Sequence, residues 1–290
     1  MKWLVTGAGG MLGQDLLAVF GGDPALGRVT ALDRAALDIT DGLAVEAAVA
    51  GHDVVINAAG WTDVDGAETA EAAATAVNGQ GPANLAAACA GSGAALLHVS
   101  TDYVFAGDAT TPYAEDAPTA PANAYGRSKL AGERAVLAML PDRGYVVRTA
   151  WVYGAHGRSF VGTILRLAGD RDTIDVVDDQ RGQPTWTYAL AVRLVALGSA
   201  AKKGTASAGI YHGTASGETT WFGLARAVFA LAGLDPERIR PTTTKGYPRP
   251  ARRPAYSVLG HDRWAQAGLP PMADWHDMLC DALARWPVPR

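Results

Sequence analysis

Short runs of consecutive apolar residues alternate with longer alanine-rich stretches through the first half of the chain. The runs are Trp3-Leu4-Val5, Val29-Thr30-Ala31-Leu32, Asp53-Val54-Val55-Ile56, Ala95-Leu96-Leu97-His98-Val99 and Tyr145-Val146-Val147. They lack polar–apolar alternation, and continuous apolarity is what strands covered by helices on both faces require. Helices are predicted near residues 10–20, 41–50, 68–91 and 125–140. Strand–helix units in this succession predict an α/β fold, a doubly wound parallel sheet with right-handed crossovers.

After Ala150 the rhythm changes. A loop with Gly154 and Gly157 leads to an apolar stretch from Phe160 to Ala168, then to a strand at Ile174-Asp175-Val176-Val177. A helix from about Tyr188 to Leu197 and a strand at Gly209-Ile210-Tyr211-His212 are expected to return to the first sheet. An amphipathic helix is expected near residues 274–286. The division predicted is residues 1–150 as one domain, and 151–290 as mostly a second, smaller one.

Charge and composition narrow the function classes. The balance of 25 Lys+Arg against 29 Asp+Glu gives a net charge of −4, which excludes a nucleic-acid binder relying on a positive field. With 49% hydrophobic and 19% charged residues the chain is no acidic disordered segment. Cys89 and Cys280 stand far apart and fit a reduced, cytoplasmic protein. The N-terminus has no long apolar signal core. The charge-free stretch 72–101 is broken by polar residues and by Gly79, Gly81, Pro82, Gly91 and Gly93, so a buried helix, turn and strand explain it better than a membrane span.

Glycine is over-represented, at 34 of 290 residues against a usual ~7%. Gly7, Gly10 and Gly13 follow the first strand directly and open the first helix. That spacing suits a tight turn, close backbone approach to a pyrophosphate, and a helix N-terminus aimed at negative charge. It predicts a dinucleotide-binding, Rossmann-type first domain, with Met11 and Leu12 at the helix start. Asp33 ends the second strand, where an acidic residue holds the adenosine ribose. A carboxylate there favours NADH, whereas Arg34 can pair with the 2′-phosphate of NADPH, so both cofactors stay open.

Tyr125 and Lys129 lie four residues apart on one helix face. A nearby cation stabilises a phenolate, so the pair suits proton donation to a carbonyl oxygen as hydride reaches its carbon. Ser100-Thr101-Asp102 follows the fourth strand, at the carboxyl edge of the sheet where ligands sit, and Thr101 is placed to hydrogen-bond that oxygen. Ala58, Ala59 and Gly60 after the third strand leave room for a flat ring. No H-x-x-H or H-x-x-x-H pair exists for metal ligation. Arg249, Arg252 and Arg253 are either solvated or meet an anionic substrate.

Together these residues resemble the extended short-chain dehydrogenase/reductase superfamily, and in finer detail its dTDP-4-dehydrorhamnose reductase branch. The finer matches include Trp61 to Glu68, Val77-Asn78-Gly79, Ser100 to Phe105, Tyr125 to Lys129, Arg148 to Gly154, Asp179 to Thr185 and Arg252 to Ser257. The resemblance implies NADPH- or NADH-dependent reduction of the C4 ketone of a dTDP-linked 4-keto-6-deoxy sugar, giving dTDP-L-rhamnose. It implies Tyr125 as proton donor, Lys129 on the nicotinamide ribose and Thr101 on the keto oxygen. Thr62, Val64, Asp102 and Trp151 would meet the sugar, Asp38 and Ile39 the adenine, and Ser100 the cofactor. It further implies a monomer or homodimer, with magnesium at a dimer interface in some members, for which Asp15 is a weak match. Ser159 departs from the Asn common at that place. Reductases yielding dTDP-6-deoxy-L-talose or dTDP-dihydrostreptose are alternatives, as is a non-catalytic subunit like the regulatory one of methionine adenosyltransferase. A dehydratase is disfavoured, because Tyr103 stands where that chemistry has an acid.

Overall fold

Six parallel strands form the centre of the computed structural model, which describes residues 1–286. They are β1 (Lys2–Thr6), β2 (Arg28–Leu32), β3 (Val54–Asn57), β4 (Ala95–Thr101), β5 (Gly144–Thr149) and β6 (Gly209–His212). Their spatial order is β2-β1-β3-β4-β5-β6. The direction of winding reverses between β1 and β3, and in open sheets of this kind ligands bind beyond the carboxyl ends of the strands at such a reversal.

The continuous apolarity of the strands follows from cover on both faces. Trp3, Val5, Val54, Ile56 and Leu97 point into one core. That core is covered by α1 (Met11–Gly22) and, further along the chain, by a long helix at Thr187–Lys203. Leu4, Val55, Leu96 and Val146 point the other way. There they meet α2 (Gly42–Val49), α3 (Gly81–Ser92) and α4 (Ala124–Met139). The remaining main helices are α5 (Phe160–Asp170), α6 (the Thr187–Lys203 helix), α7 (Trp221–Leu231) and α8 (Trp275–Arg285). Close packing of α6 on β1 needs Gly198, since a methyl there would come within 2.5 Å of the Trp3 ring.

Three expectations are corrected. The run Val29 to Leu32 was expected to be covered on both faces, yet β2 is the edge strand and Thr30 and Ala31 are exposed. The helix expected over 68–91 is interrupted. It consists of Glu71–Thr75, a widened π-type turn at Ala76–Gln80, and α3, with a separate short helix at Val64–Ala67 before it. Such turns mark sites where a side chain must be re-aimed. The helix expected to end near Leu197 continues to Lys203. Its Lys202 and Lys203 face the negative end of the helix dipole, and Gly204, at φ +72°, closes it.

Beyond β5 the chain builds short two-stranded pairings. Ile174–Val177 runs parallel to Ile239–Thr242, Arg181–Gly182 antiparallel to Thr219–Thr220, and Val152–Tyr153 parallel to Thr185–Trp186. Cys89 and Cys280 are free thiols. Among the described residues no helix is long and apolar enough to cross a membrane.

A buried ion pair ties α4 to β5. Arg148 Nη2 lies 2.8 Å from Glu133 Oε2, both side chains at most 2% exposed, and the guanidinium also covers the Phe105 ring. Removing one partner strands the other charge in the core, so Glu133→Ala is expected to lower unfolding free energy by about 3–5 kcal/mol. Urea denaturation checks this, and an unchanged midpoint would contradict it.

Candidate functional site

The loop between β1 and α1 has glycines where a side chain cannot fit. Gly7 has φ +71°, and a Cβ on it would meet the Ala59 amide at 2.5 Å. A Cβ on Gly13 would stand 2.3 Å from the Gly7 carbonyl oxygen. Gly10 is less confined, with that oxygen at 3.3 Å. No side chain caps α1, so the amides of its first turn, at Met11 and Leu12, remain available to an anion. This cradle fits a dinucleotide pyrophosphate.

Asp33 is exposed beside that loop, its Oδ1 accepting the Ala35 and Ala36 amides at 3.0 and 2.9 Å. Arg34 is exposed next to it. Asp38 is held below the usual carboxylate range by hydrogen bonds from the Thr40 amide and hydroxyl, with a smaller contribution from Arg34. The structure does not bring Ile39 to the surface. It is buried in the core against Gly81, so its side chain offers adenine no face.

A polar ladder joins the ends of β1, β3 and β4. Thr6 Oγ1 and the Ala59 amide donate to Asn57 Oδ1, and Asn57 Nδ2 donates to His98 Nδ1 at 3.0 Å. Because Asn57 Oδ1 is occupied as acceptor, the His98 proton is assigned to Nε2. Burial holds His98 neutral, its pKa well below the ordinary value, with the nearby Lys129 adding to the shift. The ladder fixes Ala58, Ala59 and the exposed Gly60 beside the glycine loop.

At the end of β4, Thr101 Oγ1 donates to Asp102 Oδ1 at 3.0 Å and accepts the Tyr103 amide at 3.2 Å. The Tyr125 phenol lies near enough to the same hydroxyl for it to affect the phenol's pKa. Tyr125 sits in the first turn of α4, which Asn123 caps through the Gly126 amide. Gly126 lets the helix settle on the Tyr103 loop, since a Cβ there would be 2.2 Å from the Tyr103 carbonyl oxygen. The Tyr103 ring stands edge-on to Tyr125, centroids 5.6 Å apart. Burial pushes the Tyr125 phenol up to about 12; the nearby Thr101 hydroxyl opposes this and the Asp102 charge adds to it.

Lys129 lies on the same helix as Tyr125 and is buried. Its Nζ donates to the Val99 carbonyl at 2.7 Å, and burial brings its pKa down to about 8 against the pull of Glu133. Two of its N–H groups remain for a ligand. A side chain at residue 60 would point to within 3.8 Å of Nζ, so small size there keeps the approach to Lys129 open. Ser100 is buried with its hydroxyl unpartnered among the described residues.

Asp102 is buried, and desolvation lifts its carboxyl to about 6 against the hydrogen bond from Thr101. A carboxyl raised in the native state binds more protons there than when unfolded, so its stability contribution falls as pH rises from about 4 to about 6. Asp102→Asn is therefore expected to gain stability relative to the parent chain across that window, by up to about 3 kcal/mol, and to keep the gain above it. Urea midpoints taken across pH check this; a difference independent of pH would contradict it.

On the opposite wall, Thr62 is exposed and Val64 opens the short helix Val64–Ala67. Trp151 follows β5 and is half-buried. Asn78, which sequence reasoning did not select for the site, holds this wall in place from the π-type turn. Its Oδ1 accepts the Trp61 amide, and its Nδ2 donates to the Trp61 carbonyl and to Ser128 Oγ. Asp65 pairs with Arg253 at 2.9 Å and with Arg249 at 4.0 Å, so two arginines of the C-terminal cluster fasten their loop over the same region. The expectation of magnesium gains no support. Asp15 is buried and accepts a hydrogen bond from Thr187 Oγ1. Among the described residues no group of three or more His, Cys, Asp or Glu side chains is arranged to hold a metal.

Comparison with known proteins adds independent findings. A family model described as the RmlD substrate binding domain matches residues 1–287. A dTDP-4-dehydrorhamnose reductase of Streptomyces griseus is 57% identical over 97% of this chain and 92% of its own. A dTDP-4-keto-6-deoxy-D-glucose reductase of Streptomyces niveus is 50% identical over 97% of this chain and 96% of its own. Among solved structures, a Bacillus anthracis dTDP-4-dehydrorhamnose reductase in complex with NADP superposes with a TM-score of 0.92 at 34% identity, covering 98% of each chain.

Proposed function

This chain belongs to the RmlD family, the dTDP-4-dehydrorhamnose reductases, and from that premise we propose that it reduces the C4 ketone of dTDP-4-dehydro-6-deoxy-L-mannose to dTDP-L-rhamnose with NADPH. The observation that carries the proposal is that Thr101 and Tyr125 come together at the carboxyl edge of the sheet, the Thr101 hydroxyl near enough to the phenol to affect its pKa. The nicotinamide cofactor supplies the hydride when bound. Gly7, Gly10, Gly13 and the amides of Met11 and Leu12 would hold its pyrophosphate, and two Lys129 N–H groups its nicotinamide ribose. Ala58, Ala59, Gly60 and Ser100 would border it. Residues 151–290 would supply much of the sugar-binding side.

With its pKa near 12, Tyr125 stays protonated at neutral pH. It is a poor acid toward water and a competent one toward the far more basic alkoxide that develops at O4. The phenolic O–H bond breaks as the O4–H bond forms, and solvent reprotonates the phenolate. Thr101 is oriented by its bonds to Asp102 and Tyr103, and its oxygen lies beside the phenol to set the position of O4.

Two observations support NADPH as the cofactor. Asp33 Oδ1 is already engaged by two amides, whereas the neighbouring Arg34 is exposed and can meet a 2′-phosphate. The structural relative from Bacillus anthracis holds NADP. A second reading, reduction of a stereoisomeric keto sugar, is favoured by the Streptomyces niveus relative at 50% identity. Intact Thr101, Tyr125 and Lys129 speak against a purely regulatory subunit. The proposal is tested by following NADPH consumption with dTDP-4-dehydrorhamnose and with its stereoisomers. Turnover of the first substrate is expected, and none with any of them would count against a reductase.

A further inference from the structure

Lys129 and Glu133 stand four residues apart on α4, the spacing at which an ammonium and a carboxylate pair along a helix. The structure shows a different pairing. Lys129 Nζ is turned to the Val99 carbonyl of β4 at 2.7 Å. The Glu133 carboxylate is held from the sheet by Arg148 of β5, whose Nε donates to Oε1 at 3.0 Å and Nη2 to Oε2 at 2.8 Å. Arg148 is fixed from two further sides. Its Nη1 donates to the Glu115 carbonyl at 3.3 Å, and its guanidinium lies 4.8 Å from the centre of the Phe105 ring.

Lys129, Glu133 and Arg148 are all buried. Breaking a buried pair is costly, yet an apolar pair of the same volume would hold α4 on β5 as well, so stability does not account for its presence. Its place beside Lys129 does. Arg148 stands opposite Ser100 in sheet register, and Ser100 follows the Val99 whose carbonyl receives Lys129. The charge on Glu133 reaches Lys129 and opposes the loss of its proton. The other groups packed about Lys129 bring no charge. His98 on β4 is held neutral, Tyr125 one turn earlier is held protonated, and Asn78 of the π-type turn is an amide.

We propose that Arg148 is a positioning residue for the reaction, drawing Glu133 away from Lys129 so that the Lys129 N–H groups stay free for the cofactor while the carboxylate keeps the ammonium charged. The inference rests on the placement of the nicotinamide ribose on Lys129 proposed above. Without Arg148, the buried carboxylate has Lys129 as its nearest cation along the helix, and the two would close into an ion pair. The lysine N–H groups would then be spent on Glu133 and lost to a ligand.

The test is NADPH binding to the full chain, to Arg148→Met and to the double variant Glu133→Gln/Arg148→Met, between about pH 6 and about pH 9. Each affinity is referred to Lys129→Ala, so that titration of the cofactor itself cancels. The parent chain is expected to lose affinity as pH rises through about 8, where Lys129 gives up its proton. Arg148→Met is expected to bind about tenfold more weakly at about pH 6, its lysine captured by Glu133. The double variant is expected to regain the parent affinity at that pH, and to lose it already near about pH 7 because no carboxylate supports the ammonium. It buries no unpaired charge, so it decides the matter even where Arg148→Met does not fold. A double variant that still loses affinity only at the parent's pH would overturn the proposal and leave the pair a packing role, as would a folded Arg148→Met with unchanged affinity. A parent chain showing no such loss relative to Lys129→Ala would remove the cofactor from Lys129, and the placement proposed above would fail together with the inference.

Discussion

Tyr125→Phe is expected to lower turnover with dTDP-4-dehydrorhamnose by at least about 10²-fold, the low end for loss of a positioned acid, while NADPH affinity stays unchanged. The substitution removes one hydroxyl and leaves the ring against Tyr103, so the T-shaped contact survives. What disappears is the proton that O4 receives. Thr101 cannot replace it, because that hydroxyl proton points to Asp102. Steady-state kinetics with parallel NADPH titration separate the two effects. Near-normal turnover in the variant would contradict the assignment of Tyr125 as donor.

Gly13→Ala is expected to weaken NADPH binding by about 10²-fold or more, through a clash that only backbone movement can relieve. The added methyl would meet the Gly7 carbonyl oxygen at 2.3 Å and Ala8 Cα at 2.7 Å, neither of which belongs to a flexible side chain. Either the turn widens or α1 shifts, and both move the amides of Met11 and Leu12. Gly10→Ala is the control. Its nearest neighbour stands at 3.3 Å, so it is expected to lose far less affinity. Equal effects at the two positions would show that the turn does not work through close packing.

Much of the fold was legible because its signals are local. Runs such as Leu4-Val5 and Val54-Val55-Ile56 must bury both faces, and Gly7, Gly10 and Gly13 mark the only kind of turn that fits between β1 and α1. Tyr125 and Lys129 were legible because helical spacing alone puts them on one face. The exposure of β2 was not, since an edge position depends on the order of strands in space. Ile39 shows the same limit in reverse: it stands beside Asp38 in the chain, but contact with Gly81 turns it into the core.

Partners far apart in sequence were likewise hidden. Asn78 reaches Trp61 across 17 residues and Ser128 across 50; the Val77-Asn78-Gly79 match marked the residue but nothing local pointed to those partners. Trp221 lies 70 positions from Trp151 in the numbering, and nothing in its surrounding sequence announces that the two indoles stack. The direction of the Lys129 side chain, toward Val99 rather than the Tyr125 phenol, also required the path of β4 under α4.

The central claim is tested most directly by incubating the protein with dTDP-4-dehydrorhamnose and NADPH carrying deuterium at its transferable position, and reading the product by NMR. The account predicts dTDP-L-rhamnose with one deuterium, at C4. A product without deuterium, or deuterium at C4 of the epimeric sugar, would contradict it.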